Sequence, residues 1–202
     1  MSSIVSYPVM ETFATLQGEG FHTGRAAWFI RLAGCDVGCV WCDVKDSWGV
    51  NPEQYRTLED LITEAEKHKG KIVVITGGEP AMYDLDPLIS GLQQIGFNVH
   101  LETSGAYPVN GNPDWITVSP KKFVAPLKEN IARANELKVI VFNDSDFQWA
   151  LTHHQYANVN CKYFLQPEFG KFKAVMPKIL EFIAENPSWQ LSLQTHKFIG
   201  IP

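Results

Sequence analysis

The chain has 202 residues, 45% of them hydrophobic, and a net charge of −5. That length suits one well-buried domain, taken as residues 1–202. A mildly acidic chain with no block of like charge has little attraction for polyphosphate, and no apolar stretch approaches a membrane span, so neither nucleic acid nor membrane is an expected partner.

The opening "MSSIVSYPVMETF" lacks a basic start followed by an apolar run, so no signal peptide is expected. A cytoplasmic setting follows, in which thiols stay reduced. The first predicted strand is "AWFIRLAG" (27–34), which runs into "GCDVGCVWCD" (34–43). The stretch 43–56 has no regular pattern and reads as one long loop, so the cysteine-bearing loop spans about 34–56. "TLEDLITEAEKHK" reads as a helix with Thr57 as N-cap. "KIVVIT" (71–76) is a strand ending in "TGGEP", and "DLDPLISGLQQIG" is a helix stopped at Gly96. Further strands are "NVHLET" (98–103), "WITVS" (115–119), "LKVIVF" (137–142), "KYFLQ" (162–166) and "QLSLQT" (190–195). In "FKAVMPKILEFIAEN", the residues Phe172, Val175, Met176, Ile179, Leu180 and Ile183 form one apolar stripe, expected to pack on the sheet. Pro177 within it predicts a kink or a later helix start.

Apolar strands alternating with helices argue for an α/β fold with a parallel sheet covered on both faces. A complete eightfold barrel takes about 250 residues. This shorter chain fits an incomplete parallel β/α barrel of about six to seven strands, or an open doubly wound sheet. Polar motifs follow nearly every strand: "TGGEP", "ETSG", "SPKK", "QPE" and "QTHK". Ligands bind at the carboxyl edge of such sheets, so these motifs are expected to converge on one site.

Cys35, Cys39 and Cys42 have the spacing Cys-x3-Cys-x2-Cys. Structural zinc takes four closed ligands, and no fourth Cys or paired His lies nearby. A four-iron cluster held by three thiolates leaves one iron open for a small molecule, which gives the odd count a chemical purpose. Zinc and three unrelated thiols remain the alternatives on spacing alone. Cys161, in "NVNCKYF", reads as a buried structural Cys.

With an aromatic residue, Trp41, before the last Cys and with "GGEP" after the next strand, the cysteine motif resembles the signature of radical S-adenosylmethionine (SAM) enzymes. "TLQGEG" (15–20), "FIRLAGC" (29–35), "ITGGEP" (75–80), "ETSG" (102–105), "VSPK" (118–121), "LQP" (165–167) and the final "LSLQTHKFIGIP" together resemble 7-carboxy-7-deazaguanine synthases, from about Thr12 to Pro202. That resemblance implies conversion of 6-carboxy-5,6,7,8-tetrahydropterin to 7-carboxy-7-deazaguanine with loss of ammonia, feeding deazapurine synthesis that includes queuosine. It implies a 4Fe–4S cluster on Cys35, Cys39 and Cys42, and SAM chelated to the open iron. A 5′-deoxyadenosyl radical would then abstract hydrogen, so no side chain is expected to do so.

The same resemblance implies SAM contacts from Trp41, Gly77, Gly78, Glu79, Glu102, Ser104, Ser119, Lys121 and Gln166. Trp41 is expected near the adenine, Gly77 and Gly78 to let the methionine end approach closely, Glu79 to accept from its ammonium, and Glu102 or Ser104 to bond the ribose. Glu102 can equally be a solvated strand-end charge. Leu16, Gln17, Gly18, Glu19, Arg31, Thr76, His196 and Pro202, through its terminal carboxylate, match substrate positions, with residues 190–202 closing over the pterin. Arg31 lies within an apolar strand and needs a partner, either the substrate carboxylate or a protein acid such as Glu19. An electron donor such as a flavodoxin and a homodimer are also implied. The family usually places a Mg2+-binding Thr two residues after the third Cys. Here that position is Val44, whose side chain has no oxygen to offer, so either the ion is held by substrate carboxylate and water with help from Asp43, Asp46 or Ser47, or the site takes no metal and Lys45 neutralises the substrate. A glycyl-radical activase shares the cysteine spacing, but it needs neither "LQGEG" nor "QTHK". A non-catalytic metal-binding protein is the other alternative class.

Overall fold

The structure, a computed structural model, describes residues 4–202. The first residues of the domain and of the stretch read for a signal peptide lie outside it. Runs of Val, Ile and aromatic residues form strands, and the motifs after them end the strands where predicted. The strands are β1 (Ser6–Leu16), β2 (Ala26–Leu32), β3 (Tyr55–Thr57), β4 (Ile72–Gly77), β5 (Asn98–Thr103), β6 (Trp115–Val118), β7 (Glu136–Val141), β8 (Lys162–Pro167) and β9 (Trp189–Leu191). Among the described residues they make one nine-stranded sheet, ordered β3-β1-β2-β4-β5-β6-β7-β8-β9. From β2 onward each neighbouring pair is parallel, while β1 runs antiparallel to both β2 and β3. The order ends at β3 and β9, so the barrel is not closed, as expected for a partial one.

Helices α1 (Leu58–Ala65), α2 (Asp86–Gln94), α3 (Lys128–Arg133), α4 (Ser145–His154), α5 (Phe172–Glu185) and α6 (Thr195–Ile199) complete the fold. Thr57 caps α1 as predicted, its side chain accepting from the Asp60 N–H at 3.1 Å. Pro177 sits on the exposed side of α5 and the helix continues through it. The apolar stripe of α5 differs in one member. Leu180 is 53% exposed, and Phe182 packs inward instead, stacked 5.2 Å from Phe147. None of the helices is long and apolar enough to cross a membrane.

Strand alternation sorts the side chains into two layers. Ile30, Leu32, Val73, Ile75, Val99, Leu101, Val118, Leu137, Val139 and Leu165 share one core with helix residues Leu61, Leu88, Ile131 and Ile179. Trp28, 1% exposed, anchors it, and its truncation to Ala would cost about 3–5 kcal/mol. The other face of the same strands points into the barrel. Toward their carboxyl ends it carries Arg31 on β2, Thr76 on β4, Glu102 on β5, Lys138 on β7 and Gln166 on β8.

Three sequence expectations change here. β1 was not foreseen. The stretch 43–56 is not wholly irregular but holds 3-10 turns at Lys45–Ser47 and Pro52–Gln54 before β3 begins. The predicted strand 190–195 ends at Leu191, because Ser192 turns to donate to Gln166 Oε1 at 2.6 Å and Thr195 N–H donates to Gly18 O at 2.9 Å.

Candidate active site

The carboxyl ends of β2, β4, β5, β7 and β8, the loops after them and the loop after β1 enclose one cavity of about 290 Å3. Every residue assigned above to cluster, SAM or substrate lines it.

Cys35, Cys39 and Cys42 are free thiols on one wall. The loop carrying them is pinned by backbone bonds, from Gly34 N–H to Ser47 O at 2.7 Å and from Cys35 N–H to Trp48 O at 3.2 Å. Burial pushes the Cys39 thiol up to about 11 despite the nearby Lys121 ammonium, and Cys35 also moves up. Metal binding to thiols in this wall would displace their protons to solvent. No three His, Cys, Asp or Glu side chains among the described residues converge as ligands of one ion. Three soft donors spread along one wall suit the separate irons of a 4Fe–4S cluster, so the donor set fits that group. Cys161 is buried at the start of β8, away from this wall, as expected.

Gly77 and Gly78 line the cavity and also have a packing role that the sequence did not reveal. A Cβ on Gly77 would collide with the Leu32 backbone, and one on Gly78 with the Gly34 carbonyl. These glycines let "TGGEP" lie flat against the start of the cysteine loop, which brings the two motifs to one place. Gly78 N–H donates to Leu32 O at 2.9 Å, and Glu79 N–H to Gly34 O at 2.8 Å.

Glu79, 1% exposed, is already saturated. Its Oε1 accepts from Thr103 Oγ1 at 2.5 Å and Ala81 N–H at 3.0 Å, and its Oε2 from Ser104 N–H at 2.7 Å and from the Ser104 hydroxyl. A carboxylate has about four lone-pair sites, so Glu79 orients Ser104 and can take a ligand ammonium only if that hydroxyl turns away. Lys121 donates to Ser119 Oγ at 2.5 Å and lies 5.3 Å over the Trp41 ring, joining three predicted SAM residues in one contact set.

Glu102 is not a solvated charge. It accepts from Lys138 Nζ at 2.9 Å and from Gln17 Nε2 at 3.3 Å. Lys138, 3% exposed, also donates to Glu19 Oε2 at 2.7 Å. Burial raises the Glu19 carboxyl, but the Lys138 ammonium overrides it and holds Glu19 down at about 2. Lys138 itself is raised, because the attraction of Glu102 and Glu19 outweighs its burial. The sequence reading missed Lys138, although a charged residue within "LKVIVF" carried the same signal that singled out Arg31. Arg31 does not pair with Glu19. Its Nε donates to Glu11 Oε1 at 2.7 Å, since Glu11 stands opposite it in the β1–β2 ladder. Its two terminal nitrogens make no hydrogen bond among the described residues and remain available to a ligand anion.

The far wall is built from distant segments. His196 packs against Gly18, where a Cβ would collide with its ring. Gln194 Nε2 reaches Glu19 Oε1 at 2.9 Å and Asp43 Oδ2 at 3.2 Å, while Lys197 reaches Asp43 at 2.5 Å. Thr15 Oγ1 donates to Pro202 O at 3.1 Å. Val44 faces the cavity with no oxygen, and the predicted substitutes do not replace one. Asp43 is engaged by Lys197 and Gln194, the Ser47 hydroxyl is turned onto Val44 O at 2.6 Å, and Asp46 is not among the lining residues. These side chains do not fit a Mg2+ site, which needs hard oxygens directed at one point.

The radical SAM superfamily pattern matches residues 29–140. The chain is 48% identical to the 7-carboxy-7-deazaguanine synthase of Flavobacterium psychrophilum, with 96% of this chain and 92% of that protein covered. It is 47% identical to the synthase of Synechocystis, covering 98% and 94%, and 37% identical to that of Escherichia coli, covering 98% and 100%. The crystal structure of QueE from Escherichia coli superposes with a TM-score of 0.85 at 34% identity, covering 95% of each chain. Cysteine loop, partial barrel and full-length likeness agree, and the chain belongs to the radical SAM superfamily and, within it, to the 7-carboxy-7-deazaguanine synthase family.

Proposed function

We propose that this chain converts 6-carboxy-5,6,7,8-tetrahydropterin to 7-carboxy-7-deazaguanine and ammonia, on the route to deazapurines such as queuosine. The observation that carries the reading is the convergence of the cysteine, "TGGEP", "LQGEG" and "QTHK" segments on one cavity, in a chain that resembles synthases along nearly its whole length. The glycyl-radical activase alternative has no comparable support, since the relatives are named as synthases.

Cys35, Cys39 and Cys42 would hold the 4Fe–4S cluster, and Trp41, Gly77, Gly78, Ser104, Ser119, Lys121, Glu102 and Gln166 would surround SAM. Together these groups supply hydrogen-abstracting radical chemistry that the polypeptide's own side chains lack. Arg31 offers its free terminal N–H groups to the substrate carboxylate, steadied from behind by Glu11. Gln17, Glu19, Thr76, His196 and Pro202 supply acceptors and donors around the ring edges. Leu16, Phe13 and Phe29 line the same cavity with apolar surface and help to exclude water from a reactive intermediate. Glu79 acts on this site by fixing Ser104.

A reduced, cytoplasmic setting suits three thiols awaiting iron. A one-electron donor such as a flavodoxin, a homodimer and a single domain complete the reading. Because Val44 offers no ligand, turnover is independent of Mg2+ or depends on it weakly.

The test is anaerobic reconstitution with iron and sulfide, then incubation with SAM, reductant and the carboxytetrahydropterin. The expected products are 7-carboxy-7-deazaguanine and ammonium. A reconstituted protein that cleaves SAM but leaves this pterin unchanged would overturn the assignment.

A further inference from the structure

Lys138 stands at the centre of the barrel interior, in contact with Glu19 from the loop after β1 and Glu102 from β5. Its side chain is 4% exposed, whereas those of Glu19 and Glu102 keep 18% and 19%, and both carboxylates line the cavity. Each has an oxygen that Lys138 does not hold, which accepts from a side-chain amide. Glu19 Oε1 takes Gln194 at 2.9 Å, and Glu102 Oε1 takes Gln17 at 3.3 Å. One buried ammonium thus bridges two acceptors that both line the ligand space.

We propose that Lys138 is a positioning residue that keeps Glu19 on the substrate side and Glu102 on the SAM side ionised and aimed into the cavity, so that the two halves of the site share one buried charge. The proposal rests on the substrate and SAM roles assigned above. Two carboxylates brought together in a dry cavity repel and take up protons. A protonated Glu19 cannot accept from ring N–H groups at both oxygens, and a protonated Glu102 is a poorer acceptor for ribose hydroxyls. The buried ammonium between them opposes that tendency: it holds Glu19 well down, and it offsets part of the upward push that burial and Glu19 put on Glu102. The other charged groups facing this triad are Glu136 on the same strand, Lys121, His196 and Asp43. Lys121 lies on the SAM side, with its ammonium already on Ser119, and Asp43 is neutralised by Lys197. Neither stands between the two carboxylates.

The test compares the reconstituted wild type with Lys138→Met, which keeps the stem and removes the charge, and with Lys138→Arg. Product formation is followed from about pH 6 to about pH 9, with KM for SAM and for the pterin measured separately. Lys138→Met should gain an acid limb on which kcat/KM falls about tenfold per pH unit. Its activity should recover as pH rises and both carboxylates ionise, with both KM values raised below the limb. Lys138→Arg should keep the wild-type pH profile even if slower. A Lys138→Met protein that is slower by the same factor at every pH would have a structural defect only, and would overturn the proposal. Should Lys138→Met fail to fold, Glu19→Gln and Glu102→Gln are compared singly and combined. A shared ammonium predicts losses in kcat/KM that do not multiply, whereas multiplying losses overturn the coupling. Wild-type protein that forms no product would instead sink the functional reading itself.

Discussion

Glu136 and Lys138 sit two residues apart on β7, face the same way and are 2% and 3% exposed. At the carboxyl end of the barrel, Lys138 is gripped by two carboxylates. At the amino end, Glu136 accepts from Phe21 N–H at 3.1 Å through Oε2, and its Oε1 has no partner. Its surroundings are equally underpaired. Both ring nitrogens of His22 and the Trp115 Nε1 lack partners, with the His22 ring 4.4 Å from Trp115 and 4.4 Å from His100. Burial pushes Glu136 up to about 7 against the pull of Lys138, and pushes His100 down to about 4. Two charges on one strand meet equal burial with opposite results, and the difference lies in their partners. The end of the barrel that handles ligands is electrostatically finished, and the floor is not.

The largest expected effect comes from breaking the finished end. Cys42→Ala should abolish iron–sulfur absorption and turnover together, because two thiolates cannot hold the cluster, while the floor keeps its pH behaviour. Unchanged iron and sulfide content in that variant would refute the assignment of this wall. Next comes the floor. Glu136 has an ordinary value of 4.5 and stands at about 7 when folded, so the folded state holds the extra proton between those values. Stability is therefore full at the acid end of that window and falls as pH rises through it, by on the order of 3 kcal/mol. Glu136→Gln should flatten this slope in denaturant unfolding measured across the window, and an unaltered slope would mean that another group titrates there. A smaller change should follow from a tag after Pro202. Thr15 and the cavity hold that residue, so such a tag should raise KM for the pterin more than an N-terminal tag does. The mildest is Val44→Thr, which restores an oxygen and should increase stimulation by Mg2+ in assays with and without chelator. A strong Mg2+ requirement in the natural protein would show that the ion does not need this side chain.

Much of the ligand end was legible because its signals are local. The cysteine spacing, the Thr57 cap and six of the strand positions each lie within a few residues of sequence. What was missed depends on partners remote in the chain. Arg31 was given Glu19 as its alternative partner because β1 had gone unrecognised. "SYPVMETFATL" mixes polar and apolar residues, as suits a strand whose later residues are mostly half-buried or exposed. Without β1, Glu11 could not be set opposite Arg31. Lys138 was passed over inside a strand read as continuously apolar, yet every second residue of that strand faces the cavity side. The packing role of Gly77 and Gly78 was not legible because the Leu32 and Gly34 carbonyls they lie against belong to another strand end.

The bonds from Gln194 to Glu19, Gln194 to Asp43 and Lys197 to Asp43 span 175, 151 and 154 residues of chain. Contacts this far apart close the longest loops, and they form after the local strand pairs that bring their ends together. The cysteine loop is therefore made early and walled in late. That order of closure would leave an interval with the thiols in place in the loop after β2 before the segment 194–202 docks. A bulky iron–sulfur donor could reach them in that interval, and the docking of α6 would then turn an open loading bay into a chamber sized for small molecules.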